Sequence, residues 1–303
     1  MNANVGRYLD KRWDWNAFPA NDGYPELERA QMRYIGSGGS PKGDASSLTP
    51  GAFSCSLIYQ EPGRKASVHH HQIEELFFVH AGELTMTWQF GDETVDFILR
   101  AGDAVLNPPS RPHGFRNDGT SDCVLQIMVA TAGPMLPTYT DHPADHPTSP
   151  FRPAPLERRE AYLEETSRYV ARAADTRPQN EAVEGGTFRA FPYVMDAKYG
   201  GLVRPTNFCF SVDTLTRGGR TPVYARSVEE AFMVLEGVLD LELRDGSRTA
   251  MERLGPRDLA LVPAGVMRAV ANSDAATVRF ASVVGDPGAA PLGWRTALAA
   301  ARA

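Results

Sequence analysis

The sequence predicts an all-β protein built as two tandem copies of one antiparallel domain, with a helix between them. Three observations carry this: an ungapped internal repeat, short runs that alternate apolar and polar residues, and one stretch with helical periodicity. The 303 residues, 42% hydrophobic and 22% charged, are enough for two domain cores. A net charge of −6 with scattered basic residues gives no footprint for nucleic acid or an anionic membrane surface. The N-terminus has no apolar secretory run, and no segment reaches the roughly 20 apolar residues that cross a bilayer, so a cytoplasmic protein is expected. Cys55, Cys123 and Cys209 are too few and too far apart for a disulfide framework and read as small buried hydrophobes.

The repeat has a shift of 230 − 75 = 155, which aligns ELFFVHAGEL from Glu75 with EAFMVLEGVL from Glu230. The same shift pairs Phe53 with Phe208, Gly63 with Gly218, Gly82 with Gly237, Asp103 with Asp258, Pro108 with Pro263 and Asn117 with Asn272. Within each copy, runs such as FSCSLIYQ, EELFFVHA, ELTMTWQF, DAVLNPP and CVLQIMVAT read as strands of an antiparallel sandwich or barrel. Residues 154–175 read as the helix, with Leu156, Tyr162, Leu163, Tyr169 and Val170 as its apolar stripe. The expected division is an arm at 1–49, a first barrel at 50–140, a linker with the helix at 141–204, a second barrel at 205–290 and a tail at 291–303. His142 and His146 share an HxxxH spacing, but that spacing unites two histidines only on a helix, and Pro143 and Pro147 argue against one.

The chemistry concentrates in VHHHQIEE, residues 68–75. Alternate residues of an extended strand share a face, so His69, His71 and Glu75 are expected to point inward while His70 and Glu74 point out. A turn through Pro108, Pro109 and Ser110 then returns His113 as a fourth donor. Neutral imidazoles with one carboxylate suit divalent iron, manganese, nickel, cobalt, copper or zinc, and an octahedral ion would keep two adjacent open positions.

These residues resemble the two motifs of the cupins, small jelly-roll barrels. Gly63, His69, His71, Glu75 and Gly82 meet the first motif in full; Gly102, Pro108, His113 and Asn117 meet the second, with Ser110 where the family has glycine. The resemblance spans roughly residues 50–130 and 205–285, and it implies two tandem jelly-roll (cupin) barrels. It also implies His69, His71, Glu75 and His113 as ligands of a divalent transition metal, with Fe(II) the expected ion. A set of three histidines and one glutamate is similar to that of quercetin and diketone dioxygenases, in which the glutamate also accepts the substrate's proton, so Glu75 is the expected catalytic base.

In the second copy the ligand positions hold Tyr224, Arg226 and Arg268, and only the glutamate persists, as Glu230. Guanidinium groups cannot ligate a metal, so these arginines are expected to pair with Glu230 in place of the cation. Positions apolar in both copies are expected to face inward: Phe53, Cys55, Leu57 and Tyr59, then Phe77, Val79, Leu84, Met86 and Trp88, with Phe115 beside His113. The expected substrate pocket is thus Tyr59, Phe77, Met86, Trp88 and Phe115, joined by Gln126 if its strand turns that face inward. The leading functional expectation is a dioxygenase, a monomer or homodimer that takes dioxygen and an aromatic, enol or diketone-type small molecule. The alternatives are a non-redox isomerase, hydrolase or lyase, and a ligand-binding bicupin without turnover.

Overall fold

A computed structural model describes residues 4–274 and 276–291. The chain forms two units, one spanning Arg12–Ala174 and the other made of the residues up to Lys11 and from Asp175 onward. Among the described residues no helix is long and apolar enough to cross a membrane.

In the first unit, Glu75–Ala81 lies between Ala104–Asn107 and Cys123–Val129 in one six-stranded sheet, which continues through Ser54–Gln60 to Ala30–Ile35. A second six-stranded sheet runs from Thr138–Tyr139 through Lys65–His70, His113–Arg116, Glu83–Phe90 and Glu93–Arg100 to Arg152–Pro153. Alternation fills the space between them: Phe77 and Val79 from one sheet meet Leu84, Met86, Trp88 and Phe115 from the other in one buried cluster. The other unit repeats the register. Glu75 opposes Asn107 and Val129 in the first unit, and Glu230 opposes Val262 and Val284 in the second, each pair displaced by the same 155 residues. The two-barrel jelly-roll architecture expected from the repeat is the observed one.

Three local features differ from expectation. The helix is shorter, Leu156–Ser167, and the chain then forms a strand, Val170–Ala171, against Ala104 and Val105. Tyr162, Leu163, Tyr169 and Val170 pack on the first unit's core, whereas Leu156, at the first turn, is 80% exposed. The buried Glu93 fixes this helix by accepting hydrogen bonds from both Arg158 Nε, at 2.8 Å, and Tyr162 Oη, at 3.2 Å. The arm is also divided: Asn4–Gly6 adds a strand beside Leu259–Leu261, while the residues from Arg12 belong to the first unit.

The departure at Ser110 has a backbone consequence. Its φ is +62°, the left-handed region that glycine occupies without penalty, and its repeat partner Gly265 has φ +78°. Serine tolerates the position because its amide donates to His71 O at 2.7 Å and its Oγ donates to Gln72 Oε1 at 3.2 Å. Ser110→Gly should therefore raise stability by about 0.5–1 kcal/mol, seen as a higher denaturant midpoint at constant slope. An unchanged or lower midpoint would show that the hydroxyl contact outweighs the backbone cost.

Candidate metal centre

His69 lies in the strand Lys65–His70 directly opposite His113, where a register shift after Ala66 brings the two rings to 4.8 Å. Gly114 permits this approach, since a Cβ there would sit 2.9 Å from Ala66 O. The strand ends at His70, so His71 follows it, and a bend through Gln72 and Ile73 leads to Glu75 at the start of the opposite sheet's central strand. His69 and Glu75 thus converge from two sheets across a turn, not from one extended strand as the alternation predicted. Glu74, expected outside, is fully buried.

The donor atoms of His69, His71 and Glu75 all lie within 4.8 Å of one another, and His113 Nε2 is 3.0 Å from Glu75 Oε2. Backbone carbonyls fix two tautomers. His69 Nδ1 donates to Ser67 O at 2.7 Å and His113 Nδ1 donates to Arg111 O at 2.9 Å, because a carbonyl can only accept. A ring held this way, when neutral, presents the Nε2 lone pair to the centre. His113 Nε2 faces a Glu75 carboxylate oxygen, a contact that a shared proton or a shared metal ion satisfies. Burial, with help from His113 and His71, holds His69 well below the usual imidazole range; burial also lowers His71, against the pull of Glu75. For Glu75 burial alone would raise the carboxyl, but His71, His113 and Arg29 outweigh it and the net shift is downward. Neutral imidazoles around an ionised carboxylate are the protonation states a divalent metal requires, so the donor set fits one.

A cupin domain family model matches residues 56–130. Among solved structures, oxalate decarboxylase from Lactobacillus farciminis in a formate complex aligns with TM-score 0.67 at 12% identity, over 99% of this chain and 90% of that one. A deletion mutant of the Bacillus subtilis oxalate decarboxylase gives 0.69 at 12% identity, over 99% and 81%. Vicilin from hazelnut, Corylus avellana, gives 0.64 at 14% identity, over 94% and 86%. The chain carries a cupin domain in its first barrel and has the two-barrel fold of these proteins. A comparison with curated protein sequences returned no match.

Over the histidines the first barrel holds a cavity of about 30 Å³, roughly one water molecule's share of liquid volume. Phe77 and Phe115 line it, as expected, together with Ser56, Ile58 and Ile127. Three expected pocket residues do not. Met86 and Trp88 belong to the core cluster, where Trp88 Nε1 donates to Asn107 Oδ1 at 2.9 Å. Tyr59 is half-buried, packs near Trp13 and Trp15, and donates to Asp122 Oδ2 at 2.6 Å, a bond that with burial pushes its hydroxyl up to about 12. The parity of that strand is the reverse of the expectation: Ser56 and Ile58 face the cavity, while Cys55 lies on the other face within 3.4 Å of Gln126 Nε2. Gln126 faces away from the cavity too, bonded to His80 Nε2 at 3.0 Å. The strand is buried on both faces, so retention of apolar residues between copies could not tell the sides apart. His142 is buried against Tyr139 and Tyr24, and no metal-ligating group forms with His146 among the described residues.

Sequence reasoning missed the contribution of the arm. Phe18, Arg29, Gln31 and Gly39 line the cavity, although none lies in a motif or in the repeat. In LERAQMRYI Arg29 stands beside Glu28 and four residues before Arg33, so no local signal marked it as the cation carried to the cavity wall.

In the second barrel the same location is filled by protein. Glu230 accepts from Tyr224 Oη at 3.0 Å, Arg226 Nε at 2.8 Å and Arg268 Nη1 at 3.1 Å. Arg268, completely buried, also donates to Pro263 O and Val266 O, so its fork is committed to structure. Nearby, burial pushes the Asp213 carboxyl up to about 7 despite bonds from Ser282 and Ser211, with Glu230 adding to the rise. The counterpart of the histidine strand shrinks to isolated bridges, Arg220 to Ala271 and Tyr224 to Arg268, because Pro222 interrupts it.

Two predictions follow from the contrast between barrels. His71→Ala should remove bound metal, as read by elemental analysis of the purified protein, while Arg226→Ala should leave metal content unchanged; a fully loaded His71→Ala protein would refute the ligand set. Folded Asp213 keeps its proton up to about 7, whereas the unfolded chain releases it near 3.8, so the folded state loses stability as pH rises through that interval. The melting-temperature advantage of Asp213→Asn should accordingly grow from pH 4 to pH 7 and level off above it. An advantage of constant size across that range would contradict the assignment.

Proposed function

We propose that this bicupin is a cytoplasmic, metal-dependent dioxygenase acting on a small enolisable, diketone-type or hydroxyaromatic molecule, with iron(II) in the first barrel. The observation that carries the reading is the meeting of three imidazoles and one carboxylate beside a small cavity that Ile58, Phe77, Phe115 and Ile127 help to line. When bound, the metal supplies Lewis acidity toward two substrate oxygens and, if redox-active, electrons for dioxygen.

The remaining work falls to side chains. His69 and His113, locked through Nδ1 to backbone carbonyls, hold their Nε2 atoms in fixed directions. Glu75, its Oε2 3.0 Å from His113 and 3.5 Å from His71, is placed to take the acidic proton of an enol or phenol. Phe77, Phe115, Ile58 and Ile127 exclude water from the resulting anion. A second reading, a non-redox lyase, draws on the small volume of the cavity, which suits a compact substrate.

The two readings separate in one measurement. Protein loaded anaerobically with iron(II), then given oxygen and a panel of diketones, flavonols and hydroxyaromatic compounds, should consume oxygen in proportion to substrate lost. Glu75→Gln should reduce the rate at least a hundredfold, as loss of a positioned base does. Substrate loss without oxygen consumption would favour the lyase, and no uptake with any loaded metal would end the oxygenase reading.

A further inference from the structure

Arg29 stands at the wall shared by two spaces. The inner is the cavity of about 30 Å³ over His69, His71 and Glu75; the outer is a cleft of about 460 Å³ whose walls include Trp15, Tyr24 and Glu28. Phe18 and Arg29 line both, so they separate the metal centre from the only large space adjoining it among the described cavities. Arg29 is 5% exposed; its guanidinium lies 4.1 Å over the Phe18 ring and 5.8 Å from the Phe115 centroid, and donates through Nη1 to Leu27 O at 3.2 Å. Tyr139 acts on it electrostatically.

The Leu27 carbonyl carries no net charge. Among the described residues no carboxylate forms an ion pair with Arg29; Glu75 reaches it only through space, and Glu75 is the ligand a metal would claim. A divalent ion on three neutral imidazoles and one carboxylate leaves one positive charge, and the permanently charged guanidinium adds another. A substrate ionised only at its chelating oxygens balances one of these. The second is left buried without an anion, which costs several kcal/mol.

We propose that Arg29 binds a carboxylate of the substrate, which is therefore an acid carrying that group beside its chelating oxygens rather than a neutral diketone or flavonol. The inference rests on the metal-centre reading for the position of the chelating end. Five donors in a planar fork, of which Nη1 is engaged by Leu27, leave donors for bidentate recognition, and Phe18 and Phe115 flank the guanidinium.

The test uses two probes with one chelating head, 2,4-dioxopentanoate and 2,4-pentanedione, titrated calorimetrically under anaerobic conditions into the full-length protein, with metal content measured on each preparation. Wild type should bind the acid at least tenfold more tightly, and Arg29→Met and Arg29→Gln should reduce that ratio to below about threefold while keeping their metal. Equal affinities in wild type, or a ratio that survives in either folded variant, would overturn the proposal, since the carboxylate would then be recognised elsewhere. Wild type that fails to load metal would defeat the metal-centre reading instead. The same acid-to-diketone ratio on metal-free wild type and variants still decides the role of Arg29.

Discussion

A carboxylate sealed inside a barrel needs positive charge beside it, and both barrels of this chain are arranged around that need. Glu75 is 4% exposed and Glu230 is 2% exposed. An isolated ionised carboxylate at such depth costs several kcal/mol, and removing the partners of a buried pair is more costly than never having built it. The second barrel answers with Arg226, Arg268 and Tyr224, all bonded to Glu230. The first places imidazoles at the equivalent positions, and their fixed tautomers turn lone pairs toward the same point. Lone pairs do not neutralise a carboxylate, which is why the first barrel fits a metal and the second does not.

The backbone that presents these side chains is common to both. The amide of Ser110 donates to His71 O at 2.7 Å, and that of Gly265 donates to Arg226 O at 2.8 Å, so the turn after the second motif braces the loop after the first in each copy. Each turn passes through a positive φ at the same position. With the frame held, the exchange of histidine for arginine changes what the centre binds without changing where it is. The arginine cluster is not required for barrel stability as such, since apolar residues of equal volume often serve better than buried ion pairs. The cluster goes with Glu230, whose carboxylate oxygens accept from all three of its members.

The repeat, the strand alternation and the ligand spacing made the fold and the convergence of His69, His71, Glu75 and His113 legible in the sequence. The face assignment of Ser54–Gln60 was not, since Cys55, Ser56, Leu57 and Ile58 are all buried and a strand covered on both sides carries no alternation to read. Tyr59 was drawn into the pocket by that reversed parity. The helix was overextended because Tyr169 and Val170 continue its apolar spacing, yet the backbone there pairs with Val105 and Ala104 as a strand. In that case a tertiary contact overrode a local period.

Arg29 was hidden for a different reason. It lies 40 residues before His69, ahead of the ungapped repeat; its neighbouring strand Ala30–Ile35 recurs as Gly186–Val194, but at a shift of 189 − 30 = 159 rather than 155 and with Phe188 where the first unit has Arg29, so neither spacing nor the repeat could connect it to the centre. The division has a physical logic. Elements shared by both copies fix a carboxylate and its donors, which is a demand on the barrel alone. The arm contributes Phe18, Arg29 and Gly39 to the wall of the cavity of about 30 Å³. The strand after Arg29 recurs in the second unit, where Phe188 takes the place of Arg29 and packs in the apolar core. A second barrel with its histidines restored would still lack that charge.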